Sequence, residues 1–159
     1  MFARSLLLIT ALLLGILTAQ GAEWSRYDGP GVSIDLPTST FGVADRSPGR
    51  LRLTDSARRA QLEVFSGRNA QDLSIADFRR EVTTVDPNRT IVYEASGRTW
   101  FVVSGYMPDP EGVEELIFYA KFMFDATGNR FAAFELSYPR RLKESFDGTL
   151  TRLEKSLSL

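Results

Sequence analysis

The alternation of apolar and polar residues in short segments constrains this fold more than any other sequence feature. In GVSIDLP, the apolar residues Val32, Ile34 and Leu36 alternate with polar ones, and Pro37 ends the pattern. A period of two is typical of a strand with one buried face. GRLRLTD and AQLEVFSG repeat the pattern, with DSAR as a hairpin turn between them. Four later segments also have the character of strands: TIVYEA, RTWFVVSGY, VEELIFYAKFMFD and NRFAAFELSY. We therefore expect a sheet of about six to seven strands.

Two other segments have helical spacing. Ile75, Phe78 and Val82 recur at intervals of three and four, and Ser74 is placed to cap the first free amides. A second apolar stripe consists of Leu142, Phe146, Leu150, Leu153 and Leu157. Because Asp147-Gly148 interrupts it, either a turn at 140–145 followed by a helix from Asp147 or one continuous helix fits. The order of three strands, helix, four strands and helix predicts an α+β fold, a mostly antiparallel sheet with helices packed on it.

The segment RTWFVVSGY is predicted to be a central strand. Trp100, Val102 and Ser104 would project to one face of the sheet, and the residues between them to the other. Both sets are largely apolar, which fits a sheet covered on each side. Ser104 lacks the preceding Gly-x of a nucleophile elbow, so its Ser-Gly pair is interpreted as the end of a strand.

The first 22 residues are predicted to be a signal peptide. Arg4 precedes an apolar block from about Leu6 to Leu17, and small residues follow, with cleavage after Gly21 or Ala22. The block is shorter than the ~20 apolar residues that a spanning helix needs. We therefore expect a single domain over residues 23–159, in the bacterial periplasm or secreted, with no stable membrane anchor after cleavage.

The chain contains no cysteine and no histidine, and this limits its chemistry. Disulfides, thiolate sites, histidine zinc sites and triads that use histidine as the base are excluded within the chain. Any catalysis would depend on carboxylates, Lys, Tyr, Arg or backbone groups. The net charge of −1 gives no reason to expect a nucleic-acid partner. No cofactor, no catalytic residue and no metal site is predicted.

Several stretches resemble a known group of proteins. They are Trp24 and Tyr27 before GVSIDLP, the stretch GRTWFVVSG, the long aromatic LIFYAKFMF, and FELSYP followed by a leucine-ended terminal helix. Together they resemble exported proteobacterial proteins of unassigned function. Those proteins are in turn similar to the α/β/α sandwich of the photosystem II subunit PsbP and the Ran-binding Mog-type proteins. The resemblance implies an α/β/α sandwich that acts as a binding or assembly-assisting domain without catalytic machinery.

The predicted function is therefore binding of an unknown protein or small ligand. Aromatic and arginine side chains are favoured at interfaces because they combine large contact area with polar groups. The candidate groove residues are Trp100, Tyr106, Tyr119, Arg50 and Arg52.

Two alternative functions remain open from the sequence, a structural role in the cell envelope and a histidine-free hydrolase built on carboxylates. The carboxylates considered for a hydrolase are Asp45, Glu63 and Glu94. The acidic stretch PDPEGVEE could present oxygens to calcium, but it lacks the spacing of an EF-hand. A solvated acidic hairpin loop is the preferred interpretation. The arginine doublets are interpreted as scattered solubilising charge, with an anion-binding patch as the alternative.

Overall fold

A computed structural model describes residues 23–159 of the chain, and the predicted signal peptide lies outside these residues. No helix in residues 23–159 is long and apolar enough to cross a membrane. The strands are β1 Ser25–Gly29, β2 Val32–Leu36, β3 Gly42–Ser47, β4 Arg50–Asp55, β5 Ala60–Arg68, β6 Thr90–Ser96, β7 Trp100–Pro108, β8 Glu115–Phe124 and β9 Arg130–Pro139. The helices are α1 Ile75–Thr84 and α2 Lys143–Ser156, the latter preceded by a 3-10 turn over Arg140–Leu142.

Seven strands form one antiparallel sheet in the order β3-β4-β5-β9-β8-β7-β6. The strands β1 and β2 form a separate antiparallel hairpin. With one helix on each face of the large sheet, the architecture is an α+β sandwich, as the sequence predicted. The order is not sequential, because β9 lies between β5 and β8 and joins the two halves of the sheet.

Two strands were not predicted from the sequence. Every residue of β3 is exposed, so its sequence GVADRS has no buried face to produce an alternating pattern. The short β1 is also mostly exposed and pairs only with β2. Both strands exist because their backbones pair with a neighbour. The predicted strand GVSIDLP is present as β2, but it belongs to the hairpin and not to the large sheet.

The strand β7 lies between β6 and β8 and is the second strand from the edge. The predicted faces are correct, but the Ser104-Gly105 pair lies inside β7, which continues to Pro108, and does not end the strand. Phe101 and Val103 are buried in the core cluster beneath α1, and Gly105 follows them on that face. Trp100, Val102 and Ser104 point to the opposite face, where α2 lies.

The α2 face is closed by a helix and by the β1-β2 hairpin. Phe146 and Leu153 of α2 are fully buried, and the ring of Phe146 stacks on Tyr138 of β9 at 4.5 Å between centroids. The helix is continuous through Gly148, which decides between the two predicted arrangements. These contacts cover mainly the β4, β5 and β9 side of the sheet.

The α1 face is closed by a smaller helix. The Ser74 hydroxyl accepts from the Asp77 amide at 3.1 Å, which confirms the predicted cap. No residue of α1 is fully buried, and Phe78 makes the main contact. Its ring meets the rings of Phe101, Phe122, Phe124 and Phe131. The helices α1 and α2 cover different halves of the sheet. Each face therefore has an area that its helix covers less, and these two areas lie diagonally opposite each other.

Candidate functional site

The less covered part of the α2 face is aromatic. Tyr93 of β6 is 53% exposed and pairs with Ser104 of β7, which in turn pairs with Tyr119 of β8. Trp100 and Tyr106 lie on the same face of β7, six residues apart and therefore ~20 Å apart along the strand. We call Tyr93, Trp100, Tyr106 and Tyr119 the aromatic surface.

Cationic side chains border the aromatic surface. The Arg140 guanidinium lies over the Tyr106 ring at 4.6 Å and also binds Glu115 at 2.7 Å. The Lys121 ammonium lies 5.9 Å from the Trp100 ring and donates to the Glu154 carbonyl at 2.9 Å. These contacts hold the cations against rings that are half-buried, and Tyr106 and Tyr119 also pack against the core cluster of the α2 face.

Trp100 itself lies at the open end of the sheet. It belongs to neither core cluster, and it is half-buried against the β6-β7 turn. A Cβ on Gly97 of that turn would lie 2.3 Å from the indole nitrogen, so only glycine leaves room for the ring. The local turn therefore positions Trp100.

Tyr119 marks the border between the aromatic surface and α2. Its ring stacks on Phe134 at 6.2 Å, and its hydroxyl donates to the Glu154 carboxylate. Burial, together with this carboxylate, raises the pKa of Tyr119 well above its ordinary value. The hydroxyl is thus held as a neutral donor to α2 and does not serve as a base.

The less covered part of the α1 face is a polar cleft of about 540 Å³. Three uncharged side chains form its floor, Thr54 of β4, Gln61 of β5 and Ser137 of β9. They lie in one row, because Thr54 pairs with Gln61 and Gln61 with Ser137. Met107 and Leu116 form an apolar side wall. We call this the polar cleft.

The end wall of the polar cleft is a network around Arg59. The guanidinium donates to Asp109 and, at 3.1 and 3.3 Å, to Glu111 and Glu114. Asp109 also accepts from the amides of Glu111 and Val113. These backbone and arginine contacts hold the pKa of Asp109 below its usual range, and the Asp109 hydrogen bond raises that of Arg59. The acidic loop is the mostly exposed hairpin loop that the sequence predicted, and its carboxylates also pair with Arg59.

The five residues predicted to line one groove are divided between the two faces. Trp100, Tyr106 and Tyr119 belong to the aromatic surface. Arg50 and Arg52 of β4 lie on the opposite face, beside the polar cleft, and both contact Glu63, with Arg52 at 2.7 Å. No single groove contains all five, because alternation places them on opposite sides of one sheet. Whether each of them binds a partner stays a prediction.

The carboxylates considered for a hydrolase are also separated. Glu63 lies on β5 and Glu94 on β6, with β9, β8 and β7 between them. Glu94 contacts Arg79 at 3.3 Å, and Glu63 is held by Arg52. Asp45 lies on the exposed edge strand β3. Within residues 23–159, no cluster of three or more acidic side chains has the arrangement of a metal site.

The arginine doublets do not gather into one patch, since their members pair with different carboxylates in separate elements. The pairs are Arg58 with Asp55, Arg79 with Glu94, Arg80 with Asp77, Arg140 with Glu115 and Arg141 with Glu114. This agrees with charge that is distributed over the surface.

Sequence reasoning missed Tyr93 and the row Thr54, Gln61 and Ser137. A bulge lies between Ile91 and Tyr93, so the simple alternation of TIVYEA does not predict the face on which Tyr93 lies. The row becomes visible only when the register of three strands is known. The outward positions of Thr54 and Gln61 beside the DSAR turn were the only local signal.

No protein-family model matches the sequence, and no curated protein is similar to it in sequence. Solved structures do share the fold. The Ran-binding protein Mog1p of Saccharomyces cerevisiae has a TM-score of 0.60 at 9% identity, over 87% of this chain and 96% of its own. Cyanobacterial PsbP of a Synechocystis species has a TM-score of 0.63 at 17% identity, over 92% and 98%. These similarities show a PsbP/Mog-like fold, as predicted.

Proposed function

We propose that residues 23–159 form a non-catalytic binding domain that contacts a protein partner through the aromatic surface. The exposed Tyr93, which lies on the same face of the sheet as Trp100 and Tyr106, carries this proposal. Tyrosine and tryptophan, with arginine beside them, are the side chains enriched at protein interfaces. The surface is an open face of a sheet, which suits a protein better than a small molecule, because small ligands prefer concave sites.

The similarity in fold to Mog1p supports a protein partner. That protein is described as Ran-binding, so the fold can present a surface to another protein. The same fold can carry unrelated functions, so the partner of Mog1p is not transferred to this chain. Because a signal peptide is predicted, we propose that the partner lies in the periplasm or outside the cell.

The electrostatics favour binding over the hydrolase alternative. The carboxylates considered for acid-base chemistry are separated and paired with arginine. Where the pKa of a side chain is shifted, as for Asp109, Arg59 and Tyr119, the shift stabilises the charge state normally present at neutral pH. A general acid or base needs a pKa near the working pH.

The test compares partner capture by the mature domain and by two matched variants. Tyr93→Ser removes an exposed side chain from edge strand β6, beside a bulge. Val43→Ser removes a 60% exposed side chain from the other edge strand, β3, also beside a bulge. Affinity capture from an envelope extract, quantified by mass spectrometry, identifies the partner, and its affinity is then measured with the purified protein.

We expect Tyr93→Ser to weaken this affinity about tenfold or more, as truncation of an interface hot spot does, and Val43→Ser to leave it unchanged. Trp100→Ala should act in the same direction as Tyr93→Ser. Circular dichroism checks that each variant is folded. Identical partners and affinities for all the variants would remove the aromatic surface from the function.

A further inference from the structure

The polar cleft has hydrogen-bonding groups that the protein does not use. Among the described residues, neither the Thr54 hydroxyl nor the Ser137 hydroxyl makes a hydrogen bond, although both side chains are only half-exposed. Gln61 donates weakly to Glu63 at 3.4 Å, and its amide oxygen has no donor. Because these side chains are partly exposed, water satisfies them in the free protein, and a ligand in the cleft would take the place of that water.

These groups are arranged for one ligand. They lie on adjacent strands, which are ~4.8 Å apart, so the row spans about two strand spacings. This distance matches the spacing of hydroxyl groups along a sugar of one or two rings. Hydroxyl and amide side chains both donate and accept, and they therefore complement the hydroxyl groups of a ligand in either direction.

The walls of the polar cleft indicate the polarity, charge and size of the ligand. Met107 and Leu116 offer an apolar side wall against which C–H groups can pack. The charged groups of the end wall already pair with one another through Arg59 and Asp109, and Arg52 and Glu63 pair beside the row. Among residues 23–159, the charged side chains of this wall are all paired, so none is left free to recognise an ionic ligand. The volume of about 540 Å³ lies within the range of small-molecule sites.

The backbone beside the polar cleft is held in an uncommon conformation. Arg59 has φ of 55°, in the left-handed region that a bulky side chain rarely adopts. This conformation turns Arg59 toward the acidic loop, and so it joins the β4-β5 turn to the β7-β8 loop across the end of the cleft. Such conformations persist where the surrounding structure maintains them, and they cluster at binding sites.

We infer that the polar cleft binds a neutral saccharide of one or two rings through Thr54, Gln61 and Ser137. This site is separate from the aromatic surface and lies on the other face of the sheet. Binding of a saccharide in the polar cleft does not depend on the protein partner proposed above, so each proposal is tested without the other.

The experiment follows backbone and side-chain amide resonances of the isotope-labelled mature domain during titration with maltose, cellobiose and N,N′-diacetylchitobiose. We expect at least one probe to shift resonances of the row and of Met107 and Leu116, with a Kd of ~1 mM or tighter. Gln61→Leu and Ser137→Ala should each weaken that binding about fivefold to tenfold, since each removes a hydrogen bond. Gln71→Leu, at an exposed position outside the cleft, is the matched control and should change nothing.

Glucose 6-phosphate tests the requirement for a neutral ligand. Because the arginines are already paired, it should bind no more tightly than glucose. The proposal is overturned if none of the three disaccharides shifts the row at about ten times that Kd, if the shifts lie elsewhere, or if the phosphorylated sugar binds more than tenfold tighter than glucose.

Discussion

The two faces of the large sheet are closed in different ways. On the α2 face, seventeen residues form one buried cluster that includes Phe146 and Leu153 of the helix. On the α1 face, seven residues form the buried cluster, and α1 contributes no fully buried residue to it. The α1 side also has polar contacts at loops, such as those of Asn69, whose amide donates to the carbonyls of Leu73 and Gly128.

This difference predicts that the α2 face is the more stable one and that the α1 face is the more mobile one. Apolar burial is the main source of stability, so the α2 face should contribute most of the free energy of unfolding. Elements with few buried apolar contacts open with less free energy, so α1 should open first.

Truncating the main packing residue of each helix should lower the free energy of unfolding by unequal amounts. Phe146→Ala removes a fully buried ring and should lower the free energy of unfolding by about 3–5 kcal/mol. Phe78→Ala removes a half-buried ring from α1 and should cost about 2 kcal/mol. Urea unfolding monitored by circular dichroism measures both, with the slope as the test of two-state behaviour. Equal losses would contradict the proposed difference between the faces.

Gly105→Ala should detach the edge strand β6. A Cβ at this position would lie 1.9 Å from the Thr90 carbonyl oxygen, so the backbone of β6 must move. We expect a loss of about 1–3 kcal/mol, typical of overpacking, and faster hydrogen exchange in β6. Gly42→Ala on the opposite edge strand has open space around the new Cβ and serves as the control. If both variants exchange alike, the close approach of β6 to β7 is not what holds this edge.

Acid should loosen the α1 side before the α2 side. The hydroxyl of Thr127, with Arg130 and two backbone amides, lowers the pKa of Asp125 to about 2, and Ser74 lowers that of Asp77 at the start of α1. A carboxylate with a lowered pKa stabilises the fold above its unfolded value of ~3.9, and this contribution is lost as the pH falls through the folded value. The effect is the smallest of the three because both side chains lie at the protein surface, where solvent screens them.

Hydrogen exchange between pH 4 and pH 2, expressed as protection factors, measures this order of opening. Amides of α1 and of the Asp125 loop should lose protection while those of α2 keep it. In Asp125→Asn, the pH dependence of the loop should be reduced, because the side chain no longer titrates. Loss of protection in α2 before α1 would show that the polar contacts do not limit the stability of the α1 side.

Local patterns predicted much of the fold. The period of two in GVSIDLP and the faces of RTWFVVSGY are correct, as are the cap at Ser74 and the apolar stripe of α2. Each of these depends on neighbours within one element, so a single sequence contains the information. Local patterns do not predict β3, because all its residues are exposed and no apolar residue alternates with polar ones.

The candidate sites could be predicted only in part. Tyr106 and Trp100 were selected as aromatic residues of one strand, and they do share the aromatic surface. The predicted groove also included Arg52, but the side chain of Arg52 on β4 and those of Trp100 and Tyr106 on β7 lie on opposite faces of the sheet. The pairing of Arg59 with Asp109 joins residues that are fifty positions apart, and no local rule predicts it.

Local sequence patterns specify the types of the main elements and the faces that they bury, and the lack of cysteine and histidine excludes the chemistries that need them. Which side chains meet depends on the arrangement of the strands in three dimensions. The row Thr54, Gln61 and Ser137 and the aromatic surface both depend on strand order and register, and β9 must enter between β5 and β8 for the row to form. The physical reason is that apolar periodicity is a local property, whereas pairing between distant strands is selected by the packing of the whole core.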